Sequence, residues 1–146
     1  MSDTPIIEQI AAKLAEVIGA VEGVTALRPR RVFFMDEVTA DRTAVITQES
    51  PEKLDGTLHT QEWRQPFGVV LIVTDSDTAT DPIDTRLNAL RSDIEKAVLA
   101  DVSLDGLAID TTVEPPQYFS ATDLTGVELR FNVHYRTAYN DPYIQM

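Results

Sequence analysis

The chain has 146 residues, no cysteine and a formal net charge of −12. That length fits one domain able to bury a core without disulfides or a metal, and the lack of cysteine excludes disulfide frameworks, thiolate catalysis and cysteine-ligated zinc. The acidic balance argues against sequence-specific or backbone-driven binding to nucleic acid, which needs clustered Lys and Arg. The N-terminus lacks the charged-then-apolar pattern of a signal peptide, and no stretch approaches the roughly 20 apolar residues of a membrane span. The expectation is a soluble protein made in the cytoplasm, with no membrane partner.

In chain order, Thr4-Pro5 opens a helix, with Asp3 or Thr4 as cap and Pro5 in the first turn. Ile7, Ile10, Leu14, Val17, Ile18 and Val21, with Ala11, form one apolar stripe ending near Gly19 and Gly23. Residues 25–35 read as a strand with Pro29 in its irregular first half, and residues 43–48 as its antiparallel partner. Within the first of these, Arg28, Arg30 and Arg31 make a small basic knot: solvated edge charge, or a contact for a partner's acidic surface. Residues 49–56 are polar and end in the turn signal Asp55-Gly56.

Residues 59–73 are extended, with Trp63, Phe67, Val69, Leu71 and Val73 on one face. Pro66 and Gly68 predict a bulge, bend or edge position there. The uninterrupted apolar run 69–73 predicts a central strand covered on both faces, compatible with a parallel neighbour near the second helix. That helix spans 81–100, with Asp81 as cap, Pro82 at its first position, and Ile83, Leu87, Leu90, Ile94 and Val98 on one side. Leu107, Ile109, Thr111 and Val113 mark a strand with one drier face, and Pro115-Pro116 stops it. Residues 118–125 read as a loop. Then Val127, Leu129, Phe131, Val133 and Tyr135 alternate with Glu128, Arg130, Asn132, His134 and Arg136, the clearest strand in the chain. The sum is a single α+β domain over 1–146, with a mixed or largely antiparallel sheet and two helices packed on one face.

Little in the chain reads as chemistry. Asp75, Asp77, Asp81 and Asp84 invite a cation site, but their spacing lacks the glycine and terminal glutamate of a calcium loop, and the solvated loop-and-cap reading is preferred. His59 and His134 lie in no metal-ligand or nucleophile motif, and there is no glycine-rich phosphate cradle. No enzyme activity, cofactor or metal is expected. The C-terminal tail 136–146 is distinctive for its tyrosines. With Tyr135, the residues Arg136, Tyr139, Asn140, Asp141 and Pro142 suit either a tail folded over its own core or an interface with a second chain.

Taken in order, several stretches carry a family resemblance: the helix over 6–20, Gly23-Val24 leading into an arginine-containing strand, and the strand 69–73 before a long helix. They continue in Asp101-Val-Ser-Leu-Asp-Gly-Leu-Ala-Ile-Asp110 and in Leu129-Arg-Phe-Asn-Val-His-Tyr-Arg-Thr-Ala-Tyr-Asn-Asp-Pro142. The pattern resembles the tail terminator, or tail completion, proteins of long-tailed bacteriophages and prophages. The resemblance implies a small α/β domain that forms a homohexameric ring in the virion tail or neck. Such a ring caps the head-proximal end of the tail tube, halts its polymerisation and offers a surface to the head-tail connector protein. Its partners would be its own copies, the tail tube protein and that connector. Another neck or baseplate adaptor is the alternative, and a small cytosolic binding or enzyme domain a more remote one.

Overall fold

The computed structural model describes residues 4–28, 42–73, 82–120 and 125–146. Its elements in chain order are α1 (Ile6–Gly19), β1 (Thr25–Leu27), β2 (Arg42–Gln48), β3 (Glu52–Leu54), β4 (Thr60–Val73), α2 (Ile83–Leu99), β5 (Asp110–Val113), β6 (Gln117–Ser120), β7 (Thr125–Ala138) and β8 (Asp141–Gln145). The strands make one sheet in the order β1-β2-β4-β7-β5, with β3 also on β4 and with β6 and β8 also on β7. The long pair β4 and β7 is its spine: antiparallel, and in unbroken register from Thr60 opposite Ala138 to Val73 opposite Thr125.

Both helices cover the same face, as the apolar stripes require. Ala44 and Ile46 of β2, Phe67, Val69, Leu71 and Val73 of β4, and Val127, Leu129, Phe131 and Val133 of β7 pack against Ile10, Leu14 and Ile18 of α1 and Leu87, Leu90, Ile94 and Val98 of α2. In α1 the buried first-turn residue is Ile6, while Ile7, Val17 and Val21 are partly covered. The opposite face divides in two. Near the ends of β2 and β4, Thr43, Val45 and Ile72 are buried although they alternate with the helix-facing residues. Farther along β4 and β7 the same face carries Glu62, Arg64, Glu128, Arg130, His134 and Arg136.

The apolar run in β4 is therefore covered on both sides, but both neighbours of β4 are antiparallel. The parallel pair is β1 with β2, Thr25 opposite Thr43, where an antiparallel hairpin was expected. A parallel partner needs a connection of roughly a dozen residues to bring the chain back to the same end, and residues 28–41 supply that length. The second half of the expected strand, Val32 to Met35, lies outside the described residues, as do Asp3, Arg30, Arg31, Asp75, Asp77 and Asp81. Each helix has a proline as N-cap, Pro5 and Pro82, with no side-chain cap bond. The Pro5 carbonyl accepts the N–H groups of Glu8 and Gln9, and the Pro82 carbonyl that of Arg86.

No bulge interrupts the β4–β7 ladder at Pro66 or Gly68. On the other side of β4, the Glu49 N–H donates to the Pro66 carbonyl at 3.0 Å, but proline has no N–H to return to Glu49. The side-chain amide of Gln65 takes that place, donating to the Glu49 carbonyl at 2.6 Å and to the Pro66 carbonyl at 2.9 Å. Gln65 is almost fully buried. A proline is thus carried inside a central strand because its neighbour's side chain completes the ladder.

Two short strands occupy segments that read as turn or loop. β3 lies beside β4, Lys53 opposite Trp63, and β6 beside β7, Tyr118 opposite Val127. β6 is fixed from both sides. The Tyr118 hydroxyl donates to Asn88 at 2.6 Å and accepts from Arg91 at 3.1 Å, both on α2. The Phe119 ring crosses Gly126 so closely that a Cβ there would sit 2.5 Å from a ring carbon and 2.8 Å from the Leu71 carbonyl oxygen.

Candidate functional site

The C-terminal residues fold back on the sheet. β7 turns at Tyr139-Asn140 into β8, which pairs Ala138 with Asp141 and Thr137 with Gln145. One β7 step therefore faces four residues of β8, so Pro142, Tyr143 and Ile144 arch away from the ladder with no buried side chain among them. The ends of the arch are fixed. The Asp141 carboxylate accepts the Tyr143 N–H at 2.9 Å, the Met146 N–H donates to the Arg136 carbonyl at 3.3 Å, and the Gln145 side chain donates to the Gly106 carbonyl.

Two other turns reach the same end of the sheet. The Tyr139 N–H donates at 2.9 Å to the carbonyl of His59, in the turn that joins β3 to β4. That turn is held by Thr57 and Thr60, whose hydroxyls lie 2.8 Å apart, and it displays Leu58 at 89 % exposure. The third turn, 101–109, is wound tightly: Asp101 accepts the Ser103 and Asp105 N–H groups, and Leu104, Asp105 and Gly106 all have positive φ. The Ser103 hydroxyl, then the Asp105 N–H, hold the Asp101 carboxyl below its usual range. From this turn Ile109 donates its N–H to the His134 carbonyl at 2.7 Å and leaves its side chain exposed, although its alternation with Thr111 pointed inward. Leu58, Ile109, Tyr139, Tyr143, Ile144 and Met146 are thereby gathered at one end, all exposed. Asp55 and Asp105 belong to the same two turns, Asp110 follows Ile109 directly, and Asp141 lies between Tyr139 and Tyr143 in the chain; the first three are exposed.

The residues singled out from the sequence separate into three groups. Tyr139, Asn140 and Pro142 are exposed at this end, with Asp141 partly covered beside them. Tyr135 is only 6 % exposed on the helix-covered face, where burial raises its phenol pKa. Arg136 is half-buried on the opposite face and occupied by its own chain, donating to Glu62 at 2.6 and 3.1 Å. Arg28 pairs with Glu8 at 3.0 Å. That contact holds the Glu8 carboxyl below its usual range. Leu58 escaped sequence reasoning because an isolated apolar residue in a turn carries no periodicity, Ile109 read as inward-facing by its alternation, and Ile144 and Met146 lay within the tail 136–146 without being singled out; only the topology brings the four together.

The charged face opposite the helices forms a shallow depression of about 760 Å³ between Glu49, Glu52, Arg64, Thr112, Glu114 and Arg130. Its guanidinium groups are already matched. Arg130 holds Glu49 with two bonds at 2.8 and 2.9 Å and approaches Glu114 at 3.6 Å, while Arg64 holds Glu52 at 2.9 Å. The Glu49 contact is also the main reason the Arg130 pKa is raised. Next along the face, Glu62 accepts from Arg136 and lies 3.1 Å from the His134 imidazole. Arg136 first and His134 second hold the Glu62 carboxyl below its usual range. These pairs tie neighbouring strands across the sheet. Among the described residues no group of three or more His, Asp and Glu side chains converges on a metal position, and no helix is long and apolar enough to cross a membrane. His59 uses its backbone, accepting from Tyr139 and donating to the Thr57 hydroxyl at 3.3 Å. Comparison with known protein families and with curated proteins finds no match to this chain.

Proposed function

We propose that this chain is a non-enzymatic assembly protein of a long-tailed phage or prophage virion. It forms a homohexameric ring at the head-proximal end of the tail tube, stops tube polymerisation and presents a surface to the head-tail connector. The ordered resemblance that runs from Leu129 to Pro142 supports this reading. The single observation that carries it is where that segment ends up: in an exposed arch, beside two further turns that also expose apolar side chains. A monomeric protein has no use for several large apolar side chains collected at one end, and such patches mark interaction surfaces. The open sheet edges and the helix-covered face remain for lateral contacts, and a heterologous contact between adjacent copies closes a ring when the rotation per copy divides a full turn.

The test is electron microscopy of the tail tube protein assembled with and without this chain. Tubes of limited length bearing a ring at one end are expected. Tubes whose length distribution is the same with and without the protein remove the terminator reading, and binding to another neck or baseplate component in that case makes the chain an adaptor.

A further inference from the structure

The end of the sheet that carries Tyr139, Tyr143 and Ile144 has an acidic border, and we propose that it docks a different protein whose contact surface is apolar at its centre and ringed by lysine or arginine. This inference rests on the assembly reading and adds the chemistry of the partner. The centre consists of Leu58, Ile109, Tyr139, Tyr143, Ile144 and Met146, all exposed. The border consists of Asp55 in the turn between β3 and β4, Asp105 in the turn 101–109, Asp110 at the start of β5 and Asp141 at the start of β8. Of the cations nearby, Arg136 is spent on Glu62 at 2.6 Å, and Lys13, close to Asp101, pairs with Glu16 at 3.4 Å.

Charge decides against a second copy as the occupant. Two such ends placed face to face would set aspartates against aspartates as the apolar centres excluded water, which strengthens the repulsion. No face formed by the described residues of the same chain fits better. Of the described arginines, Arg28, Arg42, Arg64, Arg91, Arg130 and Arg136 each already face a carboxylate of their own chain. Of the other described cations, Lys13 pairs with Glu16 at 3.4 Å, Lys53 stands alone on β3, and Arg86 and Lys96 lie ten positions apart on α2, so the described residues of this −12 chain bring no ring of lysine and arginine together. A partner with its own unpaired lysines and arginines satisfies both the apolar centre and the border, and opposite charge adds speed and orientation to its approach.

The first probe is a short amphipathic helical peptide of leucine and lysine, titrated into isotopically labelled protein and followed by NMR. Shifts concentrated in 55–59, 105–110 and 139–146 are expected. Tyr139→Ser with Ile144→Ser, or Asp55→Asn with Asp105→Asn, should each weaken binding about tenfold, while Asp84→Asn on α2 leaves it unchanged. Melting curves confirm that each variant is folded. Shifts spread evenly over the acidic surface, or equal affinity for all variants, overturn the proposal. So does self-association of the wild-type chain that the Tyr139→Ser, Ile144→Ser variant abolishes, because that assigns the end to a second copy. The tail tube protein is the second probe. Peptide binding at this end without any capping of tubes keeps the surface and removes the terminator reading, whereas capping that survives the Tyr139→Ser, Ile144→Ser change keeps the terminator reading and removes this inference.

Discussion

Gln65 lends β4 the donor that Pro66 lacks, so the two residues act as a unit. Replacing Gln65 with leucine leaves the partly covered Glu49 carbonyl without its 2.6 Å partner, and a loss of about 1 kcal/mol is expected for that acceptor. Adding Pro66→Ala to that variant returns a backbone N–H at the right place and should recover part of the loss. Urea denaturation of the two single variants and the double variant measures it, and purely additive losses would discard the account. Glu62 offers a test by pH. Its carboxyl is held below the ordinary value of 4.5 by Arg136 and then His134, so it adds stability above that value and loses it as the pH falls through the lowered folded value. The acid limb of the stability curve should therefore be shallower in Glu62→Gln, as thermal melts from pH 7 down to about pH 3 would register. Neither pairing could be read from the chain. Gln65 there only broke an apolar alternation, and Glu62 lies far from Arg136 until β4 and β7 align.

Elements whose own side chains alternate over a long run are legible in the amino-acid order itself. Residues 127–135 and the stripe from Leu87 to Val98 are such runs, because the period of burial is written into which residues are apolar. Leu90 lies wholly inside the core beneath α2. Leu90→Ala should cost about 2–5 kcal/mol, and Leu90→Asp more, since a carboxyl group there has no partner. A melting curve unmoved by Leu90→Asp would contradict the packing of that helix. β3 and β6 could not be read in this way, because three or four residues are too few to show an alternation and form a strand only where a longer strand presents an unpaired edge. The direction of β1 was likewise hidden: parallel and antiparallel pairing place the same residues in the sheet and differ in where the connection returns.

At the scale of the whole molecule, the sign of a salt effect separates the two kinds of contact proposed. Six copies of a −12 chain repel one another, and raising ionic strength shortens the reach of that repulsion to about 8 Å near physiological salt. Association of copies should therefore strengthen from low to moderate salt, and docking onto a basic partner should weaken over the same range. Mass photometry of the protein alone and with its tube protein distinguishes these trends; masses that ignore salt in both mixtures would remove charge from the assembly. Taken by itself, the amino-acid order determined that there is one α+β domain, that both helices seal one face of its sheet, and that no cysteine chemistry is available, because composition and local period depend only on which residues come next to which. Tertiary structure alone decided that Tyr135 serves the core while Tyr139 does not, that Pro66 can sit in a central strand, and that three separate turns gather one apolar end with an acidic border. Those outcomes depend on register and on contacts between residues far apart in the chain, and no local pattern carries that information.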